Sequence, residues 1–221
     1  MRKVSKPYAN SFQKGLEYNM AGSTKFYRRW HSLGSVVFKI FFRMEIIGQE
    51  NINEGAAMVC ANHSSGLDPI FVGMVLDKND QPLFIAKAEL FKVPGLSWLI
   101  KRLGAVPVDR DKADVGIVKA TLSSLKQGQK VIIFPEGTRV AEDSLDDLQA
   151  KHGAIKIAER ANAPILPVYL PRKKSLFRKV RIVIGKPYKI EKADEKRTSA
   201  DYDLLSYEMM KKIFDLKDSM T

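Results

Sequence analysis

Short apolar runs, each closed by turn residues, alternate along the chain with stretches of helical period. Residues 46–50, 56–61, 83–86, 105–108, 131–134 and 164–170 predict strands, and residues 179–185, whose side chains alternate in polarity, predict another. Helical spacing predicts helices over 23–44, 69–76, 96–103, 112–127, 153–161 and 198–216, with Gly104 and Gly128 closing two of them. Residues 1–22 show no period and are expected to be irregular or weakly helical, and the acidic segment 140–149 is expected to be a mobile loop. Strands alternating with helices predict an α/β fold, with a largely parallel or mixed central sheet flanked by helices.

The first helix differs from the rest. Placed on a helical wheel, Lys25, Arg28, Arg29, Lys39 and Arg43 fall within an arc of about 100°, and Phe26, Tyr27, Trp30, Leu33, Val37, Phe38, Ile40, Phe41 and Phe42 fill the remainder. No apolar stretch here approaches the roughly 20 residues that span a bilayer. Two readings stand: a helix lying on a membrane surface, or a core helix with a solvated basic stripe. The apolar arc is wider than one core contact requires, which favours the membrane reading.

Charge supports that division of the chain. Residues 1–48 hold nine Lys and Arg against Glu17 and Glu45, which is +7 of the net +12. Residues 1–45 are therefore expected to be a basic membrane-associating segment and residues 46–221 a catalytic domain. A basic end suits an anionic membrane or a nucleic acid, but no nucleic-acid motif accompanies this one. The single cysteine excludes an intrachain disulfide, and the N-terminus lacks the apolar core of a signal peptide. The expected location is the cytoplasmic face of the cell membrane, as a peripheral or monotopic protein.

Candidate chemistry gathers just after the predicted strands: His63 and Asp68, Lys87 and Glu89, Asp109 and Arg110, Glu136 and Arg139. In a parallel sheet these ends share one edge, so four loops far apart in sequence can converge on one cleft. In Asn62-His63-Ser64-Ser65-Gly66-Leu67-Asp68-Pro69, five positions separate His63 from Asp68, and a continuous helix would set them roughly 140° apart. A loop can pair them, with Gly66 easing a turn and Asp68-Pro69 starting a helix whose N-cap is Asp68. A carboxylate beside an imidazole sets its tautomer and stabilises its protonated form, as a general base requires; the competing reading is a loop histidine beside a capping aspartate. Two arginines near such a pair suit a phosphorylated alcohol. The chain has no G-x-S-x-G elbow, no Walker loop and no His/Cys spacing typical of metal ligands, and Cys60 sits inside an apolar run where thiols are inert.

From about residue 46 to 187 the chain resembles the glycerolipid acyltransferase family, which includes the bacterial 1-acyl-sn-glycerol-3-phosphate acyltransferases. The resemblance rests on Asn62-His63 with Asp68, Lys87-Ala88-Glu89-Leu90, Pro94-Gly95, Gly104 with Val108-Asp109-Arg110, Phe134-Pro135-Glu136-Gly137-Thr138-Arg139, Lys151 with Gly153, and Pro164-Ile165-Leu166-Pro167-Val168. It implies fatty acyl transfer from acyl-CoA or acyl carrier protein, as co-substrate and without a cofactor, to the sn-2 hydroxyl of a lysophospholipid such as lysophosphatidic acid. His63 is then the base and Asp68 its orienter. Arg110 and Arg139 hold the acceptor phosphate, Lys87 adds charge, and Glu136, Gly137 and Thr138 belong to the substrate pocket. Backbone amides near Gly137 are candidates for the oxyanion site that acyl transfer needs. Another acceptor, such as glycerol 3-phosphate, and a non-catalytic membrane-binding protein on the same fold are the alternatives. Val140, where the family often has serine, and the acidic 141–149 segment depart from the pattern.

Overall fold

The computed structural model describes residues 24–108, 115–145, 151–193 and 195–220. The expectations for residues 1–22, for Asp109 and Arg110, for positions 112–114 of the predicted helix 112–127 and for positions 146–149 of the acidic loop fall outside that range. Helix α1 (Thr24–Phe42) leads into β1 (Met44–Ile47) and β2 (Ala57–Ala61); then follow α2 (Asp68–Val75), β3 (Leu83–Lys87), α3 (Leu96–Arg102) and β4 (Ala105–Val108). The second half contributes α4 (Val115–Lys126), β5 (Lys130–Ile133), α5 (Gly153–Ala161), β6 (Ile165–Tyr169), β7 (Val180–Ile184) and α6 (Ser199–Asp215).

All seven strands join one sheet in the order β1-β7-β6-β2-β5-β3-β4. The run from β6 to β4 is parallel throughout; β7 turns antiparallel to β6 and carries β1 parallel to itself. The sheet is thus mixed, with β2 central. All five residues of β2 are buried, as a strand covered on both faces requires. Its alternation divides the core: Ala57, Val59 and Ala61 face a cluster with Phe42 of α1 and Phe71, Val72 and Val75 of α2. Met58 and Cys60 face the opposite cluster, built with Ile117 and Ala120 of α4, Ile155 and Ile157 of α5, and Met209 and Ile213 of α6. Successive strand side chains point to opposite faces, so one strand serves both layers.

Helix α1 packs on the body along only part of its apolar arc. Tyr27, His31 and Phe42 are buried against the body, His31 bonding the Leu76 carbonyl through Nε2 at 2.9 Å and Phe38 and Phe42 stacking edge-on against Phe71. Trp30, Leu33, Val36, Val37, Ile40 and Phe41 remain exposed on its other side, Leu33 at 59% and Ile40 at 61%. A narrow stripe anchors the helix, and the rest of its apolar arc faces outward. No described helix is long and apolar enough to cross a membrane.

Candidate active site

Because β6, β2, β5, β3 and β4 are parallel, the loops leaving their C-terminal ends lie along one edge of the sheet. His63 leaves β2 there. Its backbone is held on both sides: the N–H donates to Glu136 Oε2, and the carbonyl accepts from the Val140 N–H at 2.8 Å and from Arg172 Nη1 at 2.8 Å. Just upstream, Asn62 bonds both backbone groups of Leu170 with its side-chain amide, at 2.8 and 2.7 Å. This extends the β2–β6 pairing by one residue and sets where the loop begins.

The imidazole pairs with Asp68, His63 Nδ1 lying 2.9 Å from Oδ2. The carboxylate has no hydrogen to give, so Nδ1–H is the donor and Nε2 carries the lone pair. Phe134 stacks on the ring with centroids 4.3 Å apart and planes at 26°. The expectation that Asp68 caps α2 is corrected: Leu67 occupies the cap position without a side-chain cap bond, and Pro69 sits in the first turn. The Asp68 carboxylate turns back along the chain instead, accepting the amides of Ser64 at 2.6 Å and Ser65 at 2.7 Å. Lys174 Nζ stands 2.7 Å from its other oxygen. Burial alone would raise the Asp68 pKa, but the His63 and Lys174 contacts and the two amides outweigh it and hold the group below the usual carboxylate value.

Gly66 lies in the turn before α2, as expected, but the obstruction expected for a Cβ there is not found. It lies at the rim, where an added Cβ would approach Arg139 Nη1 to 4.0 Å. Gly137 is the residue with the special conformation: its φ is +71°, and a Cβ there would come within 2.9 Å of Lys151 Cε. Its N–H donates to the Phe134 carbonyl at 3.0 Å, so that amide is committed to a turn. Thr138 and Arg139 follow it on the exposed rim.

Convergence of the expected groups is uneven. Glu136 joins the His63 loop directly, whereas Lys87 pairs with Glu89 at 3.6 Å in solvent, its side chain 54% exposed. Two departures from the family pattern acquire roles. Val140 acts through its backbone, its N–H on His63 and its carbonyl accepting from Arg172 Nη1 at 2.9 Å. Asp143, in the segment expected to be a loop, accepts from Arg172 Nε at 2.6 Å and Tyr169 OH at 2.7 Å, and pairs with Lys217 at 3.3 Å.

The sequence reading missed Arg172 and Lys174. Arg172 binds Glu136 through Nη2 at 2.6 Å and Asp143 through Nε, bridging the exits of β5 and β6. The signal was present, since Arg172-Lys173-Lys174 follows β6 as the other charged clusters follow their strands; it lay outside the family blocks and was not weighed.

A buried imidazole at the edge of a parallel sheet, with a second nitrogen that no described residue engages, can remove a proton from a bound hydroxyl. Comparison with known proteins gives the family of the chain. Residues 43–171 match the family described as Acyltransferase. The chain is 32% identical over 158 residues to the 1-acyl-sn-glycerol-3-phosphate acyltransferase of Bacillus subtilis, covering 69% of this chain and 77% of that protein. It is 30% identical over 168 residues to the chloroplastic 1-acyl-sn-glycerol-3-phosphate acyltransferase LPAT1 of Arabidopsis thaliana, covering 70% of this chain and 46% of that protein. The crystal structure of the 1-acyl-sn-glycerophosphate (LPA) acyltransferase PlsC from Thermotoga maritima has the same fold, with a TM-score of 0.62 at 24% identity over 86% of this chain and 79% of that chain. The matched region begins at β1 and runs through the end of β6 to Pro171, enclosing the His63 loop, the Glu136 turn and the rim, and on that match this chain belongs to the acyltransferase family.

Proposed function

We propose that the chain transfers a fatty acyl group from a thioester, acyl-CoA or acyl carrier protein, to the sn-2 hydroxyl of 1-acyl-glycerol-3-phosphate, giving phosphatidic acid. The observation that carries this reading is the buried His63–Asp68 pair with Nε2 left to accept a proton, in a chain related to enzymes named for that reaction. His63 Nε2 takes the hydroxyl proton as the acceptor oxygen bonds the thioester carbonyl carbon. The carbon–sulfur bond then breaks, and the leaving thiolate takes the proton back from the imidazolium. Asp68 keeps the ring oriented and favours its transient charge. Attack is direct, so no acyl-enzyme forms, and Cys60, fully buried in β2 with burial pushing its thiol pKa far up, takes no part.

Arg139, exposed on the rim beside Gly66, binds the acceptor phosphate together with Arg110; a guanidinium offers two parallel donors to phosphate and stays charged. Lys87 adds positive charge along the same edge. Glu136 contributes by holding the His63 backbone, and Gly137 and Thr138 shape the approach to the rim. The acceptor lives in a bilayer, and α1 supplies a means of reaching it. Its exposed apolar face continues into Leu176 and Phe177, the latter packed on Phe41 with ring centroids 5.7 Å apart. Lys25, Arg28, Arg29 and Lys39 are exposed on the same helix to meet anionic headgroups.

The test is mass-spectrometric detection of phosphatidic acid from lysophosphatidic acid and an acyl thioester in mixed micelles, with His63→Ala in parallel. Product from the parent chain alone is expected. Equal product from both proteins rejects His63 as base, and no product with either donor rejects the reaction.

A further inference from the structure

The loop joining β6 to β7 sends a lysine back into the site. Lys174 Nζ lies 2.7 Å from Asp68 Oδ1, the oxygen opposite the one that binds His63, and 2.9 Å from Ser64 Oγ. The side chains of Lys174 and Asp68 are 3% and 0% exposed. Charged groups reach the His63 loop from each neighbouring segment: Asp68 from α2, Glu136 from the β5 exit, Arg172 and Lys174 from the β6 exit. Asp143 and Lys217 lie behind Arg172, and Arg139 stands at the rim. Inside the rim, three carboxylates thus meet three cations, and Lys174 is the cation that contacts Asp68.

Such placement is costly to the lysine. Burial lowers its pKa below the usual amine value, and the pairing with Asp68 only partly offsets this. The two partners therefore record opposite balances, for at Asp68 the donors prevail over burial. A buried pair of this kind is weak as a stabiliser, although removing one partner leaves the other uncompensated.

We propose that Lys174 is a positioning residue of the catalytic base: by occupying the second oxygen of Asp68 it holds the carboxylate aligned and ionised, and it offsets that charge so that the imidazole remains free to accept a proton. The proposal rests on the reading of His63 as the base. Without the ammonium, the buried carboxylate is compensated by a proton held on the imidazole, and a protonated His63 cannot serve as base at neutral pH.

The experiment compares the parent chain with Lys174→Met, Lys174→Arg and His63→Ala. It reads the pH dependence of kcat/KM for acyl transfer and, separately, the NMR titration of 15N-labelled histidine, the His63 signal being assigned by its loss in His63→Ala. In Lys174→Met the acid limb and the imidazole titration are expected to move up by about one pH unit, with kcat/KM on the acid limb about tenfold lower and recovering as pH rises. Lys174→Arg is expected to keep the parent profile. A folded Lys174→Met protein with both curves unmoved overturns the proposal. If that variant does not fold, Lys174→Gln, which keeps a donor to Asp68 without the charge, is titrated instead, and failure of both to fold overturns it by assigning the lysine to stability alone. Full activity in His63→Ala rejects the base reading, while the NMR titration still decides whether Lys174 governs the imidazole.

Discussion

His63 has its N–H, its carbonyl and Nδ1 all engaged among the described residues, and Nε2 is the nitrogen that the proposed acyl transfer uses. The carboxylates around it carry a pH dependence whose sign is set by their partners. Asp68 is held below the usual carboxylate range because its hydrogen bonds outweigh burial, and Asp143 likewise through Tyr169, Arg172 and Lys217. A carboxyl group whose folded pKa is depressed contributes stability that is present above the unfolded value of about 4 and lost as pH falls through the folded value. Acid denaturation followed by circular dichroism is therefore expected to set in below about pH 4, and Asp68→Asn should flatten the dependence. An unchanged acid midpoint in that variant would show that Asp68 adds nothing to it. Arg139→Ala should raise the KM for the phosphorylated acceptor more than that for the thioester; an equal effect on both would remove its phosphate role.

At the scale of elements, three connections are tied together by one guanidinium. Arg172, on the exit of β6, reaches Glu136 and Val140 on the exit of β5 and the carbonyl of His63 on the exit of β2. Glu136 is buried and itself receives the His63 N–H, so removing the arginine leaves a carboxylate without its cation. Arg172→Met is expected to destabilise the fold by about 3 kcal/mol or more. A drop in Tm on the order of 10 °C follows for a chain of this size, and calorimetry checks it; a loss below 1 kcal/mol would mean that the link is dispensable. Sequence placed most elements within one or two residues, since apolar period survives in any local window. It did not show which loops touch, because the partners of His63 lie 73 and 109 positions away in Glu136 and Arg172.

For the whole molecule, the exposed side of α1 and the Leu176–Phe177 tip form an apolar surface with basic residues on the same helix. Replacing Leu33 and Ile40 with Glu alters only exposed positions, so the fold is expected to persist while flotation with anionic vesicles falls severalfold. Undiminished flotation at physiological salt would move the membrane contact elsewhere. The same surface explains why composition alone left two readings of α1 standing. The wheel shows an apolar arc, whereas the share of it taken up by Phe71 and the body depends on where α2 sits.

The sequence by itself determined the alternation of strands and helices, the family blocks, the candidate base and the uneven charge, because period, turn chemistry and residue type are local properties. Tertiary structure alone decided that Asp68, paired with His63 as expected, does not also cap α2, and that the Gly137 amide is committed to Phe134. It also decided that Val140 works through its backbone and that Lys174 completes the ion pair. Each of these depends on which lone pair or donor meets which partner across the sheet edge. Parallel strands bring such partners together from distant parts of the chain, and the local pattern records only that a polar residue follows a strand.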